Sequence, residues 1–192
     1  MATVYEVEMK FSVADPAVLR ARLGGVGGVF SAPRTQIDRY YAHPSRDFAV
    51  TDEALRLRRD TDRVAITWKG PRIDAATKTR REIELPLVPA EGGPAATLAA
   101  WDGLLFALGF RPVREVRKRR TTVHLDWQSA AVEVAIDEVE GLGTFVELEQ
   151  QVAAAGVEAA RGRLLALAES LACGPSERRS YLELLLATAR EG

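Results

Sequence analysis

The segment Tyr5-Glu6-Val7-Glu8-Met9-Lys10-Phe11 alternates without a break between large apolar or aromatic and charged side chains. A period of two belongs to a β-strand, whose successive side chains project to opposite faces. Tyr5, Val7, Met9 and Phe11 therefore share one face, and Glu6, Glu8 and Lys10 share the other. Taken alone, this is an ordinary amphipathic strand with a wet polar face. The pattern recurs along the chain, however. Leu55 and Leu57 alternate with Arg56 and Arg58, and Val64, Ile66 and Trp68 oppose Lys69. Ile83, Leu85 and Leu87 oppose Glu82 and Glu84. Farther on, Lys118 and Arg120 share a face with Val116, which breaks the rule. Asp137 is followed by Glu147 and Glu149, with Val146 and Leu148 on the reverse face.

Working outward, this periodicity predicts strands near 4–11, 36–42, 54–59, 63–69, 80–88, 113–126, 131–139 and 144–151. Punctuation predicts four helices. The first, over 16–23, has Asp15 as N-cap, Pro16 at its first position and Gly24-Gly25 at its end. The second, over 95–108, puts Leu98, Trp101, Leu105 and Leu108 on one face before Gly109. A third covers 157–172, with Leu164, Leu167 and Leu171 in register, and a fourth runs from Ser176 as N-cap to Ala189. The strands come in runs rather than alternating with helices, so an α+β fold with a largely antiparallel sheet is expected. No Gly-rich phosphate loop or dinucleotide fingerprint opens a helix.

The chain has 192 residues, 47% of them hydrophobic and 28% charged, which suits one globular domain over residues 1–192. No apolar run approaches the ~18 residues of a membrane span, and no signal peptide opens the chain. A cytoplasmic protein that does not engage membranes is the expectation. Cys173 alone forms no internal disulfide, and His43 and His124 are too few and too isolated for a metal cluster. Both read as surface or strand histidines, with a minor lumen role open to His124. The net charge of −1 hides an uneven distribution: residues 111–120 hold six basic groups and one acid, residues 133–149 six acids and no base. With acids matching bases and a pI near 6.2, nucleic acid is not an expected partner.

Two architectures fit these faces. In an open sheet the charged faces meet solvent. In a closed one they converge on a lumen that would be costly if dry. Occupied by a polyphosphate and a divalent metal, such a lumen makes sense. Lys10, Arg56, Arg58, Lys69, Lys118 and Arg120 could neutralise phosphate oxygens. Glu6, Glu8, Asp137, Glu147 and Glu149 could hold Mg²⁺ or Mn²⁺. Periodicity does not choose between the two.

A resemblance does. Glu6-Val-Glu8-Met-Lys10 resembles the Glu-x-Glu-x-Lys signature of the CYTH superfamily, the triphosphate tunnel metalloenzymes. The likeness continues in order through Gln36–Tyr41, Arg46–Arg58, Thr67–Pro71, Lys78–Glu84, Val116–Arg120, Asp137–Glu149 and Ser180–Leu182. It implies an eight-stranded antiparallel β-barrel, the triphosphate tunnel, with flanking helices, usually as a homodimer. Glu6, Glu8, Asp137 and Glu147 would be metal ligands, with Glu149 a ligand or its neighbour. Lys10, Arg56, Arg58, Lys69, Lys118 and Arg120 would grip the triphosphate of a nucleotide or another organic or inorganic compound. Glu82 and Glu84, with Lys10, would be the catalytic wall, and Arg178 or Arg179 would cap the tunnel mouth. The Arg46–Arg58 and Trp68–Pro71 segments are most similar to the class IV adenylyl cyclase group, which implies ATP converted to cyclic AMP and pyrophosphate. Thiamine or inorganic triphosphatase activity is the alternative, and a non-catalytic polyphosphate-binding module a distant third. Tyr40, Tyr41 or Trp68 could stack on an adenine or thiazole as readily as pack in a core.

Overall fold

The structure, a computed structural model, describes residues 4–72 and 79–189. Its centre is a closed antiparallel barrel. In chain order the elements are β1 (Val4–Ser12), α1 (Pro16–Gly25), β2 (Val29–Phe30), β3 (Arg34–Ala42), the one-turn α2 (Phe48–Thr51), β4 (Ala54–Arg59), β5 (Val64–Arg72) and β6 (Arg80–Leu87). There follow α3 (Gly93–Ala107), β7 (Arg111–Trp127), β8 (Ala130–Val139), β9 (Gly143–Ala153), a 3₁₀ turn (Ala154–Gly156), α4 (Val157–Ser170) and α5 (Tyr181–Thr188). The sheet runs β7-β3-β4-β5-β6-β1-β9-β8 and closes through β7–β8, with the two-residue β2 added beside β7. Closure depends on the length of β7. Its residues Arg111–Arg120 pair with β3, and Lys118–Trp127 pair with β8.

The barrel is polar inside and apolar outside, so helices must cover its outer face. Val7, Met9 and Phe11 of β1 join Val123, Val134, Ile136, Val146 and Leu148 in one core, sealed by Leu19 and Leu23 of α1, Leu164 and Leu167 of α4, and Leu171 at the C-cap of α4. Leu55, Leu57, Val64 and Tyr41 form a second, under Leu98 and Leu105 of α3, with Trp68 and Trp101 packed against it. Burying a Leu or Val side chain is worth roughly 1.5–3 kcal/mol, so these two covers hold the wall in shape.

A third cluster lies inside the barrel. Tyr40, Val116, Val139 and Phe145 face inward at one end, where Tyr181, Leu184 and Leu185 of α5 pack on them. Val116 breaks the alternation of β7 because its level of the lumen is an apolar plug rather than a charged wall.

Some expectations are corrected. The last helix begins at Tyr181, not Ser176, because Ser180 makes a full capping box with Glu183. Ser176 instead bridges Phe11, and the Glu177 amide donates to the Lys10 carbonyl, which lays the segment across β1. Leu108 does not join the α3 stripe; it caps the helix C-terminus and is exposed. β2 and α2 are too short for periodicity to show. Lys78, in one of the segments that carries the resemblance, lies outside the described residues.

Candidate active site

The inward positions of the strands line a cavity of about 1430 Å³. Register stacks them in levels. Lys10 stands opposite Glu147, and Glu8 opposite Glu149. Arg58 stands opposite Asp38, Lys69 opposite Glu82, and Arg120 opposite Asp137. The wall chooses a cation for most of these acids.

Asp137 is fully buried and takes Lys118 Nζ at 2.9 Å, Arg120 Nε and Nη2 at 2.7 and 2.6 Å, and the Tyr181 hydroxyl at 3.0 Å. Burial alone would raise its carboxyl; Lys118 and Arg120 overcome that and hold it below the usual range. Burial pushes the Lys118 ammonium down to about 8, with Arg120 adding to the fall. Arg120 also reaches Glu147. Across the lumen Asp38 accepts Arg58 Nε and Nη2 at 2.6 and 2.7 Å and has Arg56 at 3.5 Å. Its carboxyl is held far down against burial by those two guanidiniums. Lys69 Nζ lies 3.4 Å from Glu6 and pairs with Glu82. Burial raises both of these carboxyls; Lys69 and a hydrogen bond from Glu82 bring Glu6 down, while Glu6 keeps Glu82 up. Glu84 lines the cavity, half-exposed, and accepts the Thr67 hydroxyl at 2.8 Å.

The donor set suits a hard divalent cation. Glu8 of β1, Glu149 of β9 and Glu133 of β8 stand side by side on adjacent strands. Like charges directly opposite one another repel. Burial pushes the Glu149 carboxyl well above its usual range, and Glu6, Glu133 and Glu8 push it further, against Arg120. A cation bound by carboxylate oxygens would relieve this. The expected gathering of Glu6, Glu8, Asp137 and Glu147 about one point is nevertheless not seen: among the described residues no three acidic or histidine side chains are drawn together closely enough to hold a metal ion. Asp137 is turned to Lys118 and Arg120, and Glu6 to Lys69, because the basic wall shares the lumen and draws each acid to its nearest cation.

A stability test follows from Glu149. Its folded-state carboxyl is raised, so its contribution is fully present below the ordinary value and is lost as pH rises through the folded one. Glu149→Gln removes that loss. The variant should unfold at a higher temperature than the wild type, by about 2–4 °C per kcal/mol of repulsion relieved, with a gap that widens above about pH 4. Thermal scans from pH 4 to 8 check this; a gap that narrows with rising pH would contradict it.

Lys10 is 1% exposed, its ammonium 4.0 Å from the centre of the Tyr181 ring and hydrogen-bonded to the Arg179 carbonyl. Arg179 itself is a correction. Its guanidinium forks onto Glu177 two residues back and is 56% exposed, so Arg179 meets the site through its backbone and not as a phosphate grip. Trp68 and Tyr41 also leave the list of stacking candidates. Trp68 donates its indole N–H to Glu53 at 3.1 Å, and Tyr41 donates to Asp102 at 2.8 Å beneath α3. Tyr40 faces the lumen as part of the plug, and His124 sits at the opposite mouth beside Glu133.

Three residues of the site had no role in the sequence reading. Asp38 was legible by parity, since it shares a face with Gln36 and Tyr40. Tyr181 lies in the Ser180–Leu182 segment of the resemblance, but nothing local shows that α5 turns into the barrel. Arg80, buried on the cavity wall, was hidden in a run of basic residues.

The comparisons with known proteins agree with this geometry. A family model described as CYTH domain matches residues 4–181. The chain belongs to the CYTH domain family. A Methanocaldococcus jannaschii protein named as a candidate adenylate cyclase is 36% identical over 147 residues, 77% of each chain. A solved Pyrococcus horikoshii structure, also 36% identical, superposes with a TM-score of 0.83 over 95% of this chain and 99% of its own. A Hippeastrum structure shares the fold at 16% identity, with a TM-score of 0.62 over 97% and 96% of the two chains. Proteins of the CYTH family are phosphotransfer enzymes that act on nucleotide or other triphosphates, and this chain is one of them.

Proposed function

We propose that this CYTH enzyme converts ATP to cyclic AMP and pyrophosphate with the help of Mg²⁺ or Mn²⁺. One observation carries the reading: basic and carboxylate side chains interleave on neighbouring strands around a single closed lumen. Arg56, Arg58, Lys69, Lys118, Arg120 and Lys10 neutralise the triphosphate oxygens, each charge-assisted contact being roughly twice as strong as a neutral one. Oxygen donors for the cation would come from Glu6, Glu8, Asp137, Glu147 and Glu149. When bound, the cation supplies charge neutralisation and polarises a phosphoryl oxygen. The ribose 3′-hydroxyl then attacks the α-phosphorus, its proton passes to the Glu84 carboxylate, and pyrophosphate leaves with Glu82 as the neighbouring proton donor. A carboxyl lifted towards neutrality, as at Glu82, suits an acid–base role.

Hydrolysis of a triphosphate is the second reading. The Hippeastrum protein, a candidate adenylyl cyclase by name, has a dominant triphosphatase activity, so this fold alone does not favour cyclisation. We take the chain to be cytoplasmic and homodimeric, with neither membrane nor nucleic acid as partner. Among the described residues no helix is long and apolar enough to cross a membrane.

The test is a panel of ATP, thiamine triphosphate and tripolyphosphate with each metal, reading cyclic AMP, pyrophosphate and orthophosphate separately. Cyclic AMP with equimolar pyrophosphate, abolished by excess chelator, is the expected result. Orthophosphate without cyclic AMP would replace the cyclase reading by the hydrolase. Turnover undiminished in chelator would remove the metal.

A further inference from the structure

The helix α3 departs from the pattern of the other covers. α4, of similar length, carries Glu158, Arg161, Arg163 and Glu169, and α1 carries Arg20 and Arg22, as helices with one face in water do. Gly93–Ala107 carries a single charge, Asp102, and spends it within the chain. Asp102 accepts Arg39 Nη1 at 2.6 Å and the Tyr41 hydroxyl at 2.8 Å. Thr97, Leu98 and Leu105 are the buried side of α3. Helical spacing puts Ala99, Ala100, Gly103 and Ala107 on the opposite side, flanked by Leu104 and Phe106. Leu104, Phe106 and Leu108, with Val113 at the start of β7, are 44% to 60% exposed. A helix that is apolar all round belongs in an interior, and among the described residues none covers this side.

Gly103 marks the same face independently. In a helix interior glycine is less favourable than alanine, yet a Cβ added here would meet nothing within 4 Å. No neighbour in this chain asks for a glycine, whereas a second backbone approaching closely would.

The face also points to its occupant. A two-fold pairing sets a patch against itself, so the patch must be self-complementary. With α3 antiparallel to its copy and the axis midway between Ala100 and Gly103, Leu104 of one copy lies over Ala99 of the other. Ala96 likewise meets Ala107, so large side chains fall on small ones along the contact. The same register brings Glu91, just before the helix, within one residue of Arg111, just after it, at both ends. Both are exposed, and Arg111 is held over the Phe106 ring, 4.3 Å from its centre. An uncharged middle with an acid at one end and a base at the other suits its own copy better than a charged partner.

We propose that two copies of this chain pair through α3, antiparallel about a two-fold axis at Ala100 and Gly103. This rests on the homodimer reading and deepens it by naming the face. Leu98 and Leu105 pack on Leu55, Leu57 and Val64 of β4 and β5, so the pairing braces the strands that carry Arg56, Arg58 and Lys69.

Sedimentation velocity over a dilution series, with far-UV circular dichroism to follow the fold, tests it. Gly103→Glu is the decisive variant. The chain has room for the side chain and glutamate is the better helix former, but the two-fold sets two carboxylates against each other in an apolar contact. The dimer dissociation constant should rise at least about a hundredfold with the helical signal kept. Glu91→Arg and Arg111→Glu should each weaken the dimer about two- to fivefold, since like charges then meet at its ends, and the double variant should regain wild-type affinity. A folded Gly103→Glu protein as dimeric as the wild type would overturn the α3 interface and leave the homodimer reading standing. Failure of the double variant to recover would overturn the antiparallel register. A wild type that stays monomeric at its highest soluble concentration would overturn both readings.

Discussion

Asp137→Ala should cost the fold about 3–5 kcal/mol, the penalty for breaking a buried ion pair by removing one partner. Lys118 and Arg120 would be left facing each other in the lumen with Glu147 as the nearest acid, and the Tyr181 hydroxyl would lose its acceptor. For a chain of this size each kcal/mol lowers the thermal midpoint by about 2–4 °C, so a fall of roughly 6–20 °C is expected, and urea denaturation should give the same order. Tripolyphosphate should restore part of it, since its oxygens can take the place of the lost carboxylate and a ligand stabilises in proportion to its occupancy of the folded state. A loss below about 1 kcal/mol would show that the Asp137 cluster does not hold the barrel shut. The wild type carries the same dependence on acid. Asp38 and Asp137 are both held below the ordinary carboxyl value, so the stability they give is fully present above about pH 4 and is lost as pH falls further.

The barrel and its site were legible to different depths, and the reasons are local. β1 announced both its conformation and its two faces, because a period of two over seven residues has one physical reading. It did not announce which face points inward. In most small sheets the apolar face does, and here the opposite holds, since the helices carry Leu19, Leu23, Leu98, Leu105 and Leu164 to the outside of the wall. Only the ordered resemblance over most of the chain turned the charged faces into a lumen. The residues that grip were readable by parity from single strands. Those that depend on tertiary placement were not. Tyr181 reaches Asp137 because the 176–180 segment crosses β1 before α5 begins, and the Ser180–Glu183 capping box that sets this start was passed over for Ser176. Arg179 erred the other way. Its guanidinium forks onto its neighbour Glu177, a pairing that the resemblance does not show.

Arg58→Ala should weaken ATP and bare tripolyphosphate by the same factor, about ten- to a hundredfold, because a charge-assisted contact to the shared triphosphate is worth roughly 1.5–3 kcal/mol. The structure supplies a rival account. Arg58 already forks onto Asp38, at 2.6 and 2.7 Å, and Asp38 is 1% exposed. Arg58 could therefore serve only to neutralise a buried acid, and its loss would then act through stability alone. A double-mutant cycle with Asp38→Asn separates the two. If Arg58 is only the counter-ion, then once Asp38 is neutral its removal should alter neither the unfolding midpoint nor the affinities. If it grips phosphate, the cycle should split: Arg58→Ala destabilises the wild-type background but hardly the Asp38→Asn background, while the affinity loss for both ligands appears in each. Arg56 remains beside position 38 in every variant, 3.5 Å from the carboxylate, so the acid is never left without a neighbouring cation and the proteins should fold. Equal affinities for Asp38→Asn and the double variant would remove Arg58 from the phosphate wall.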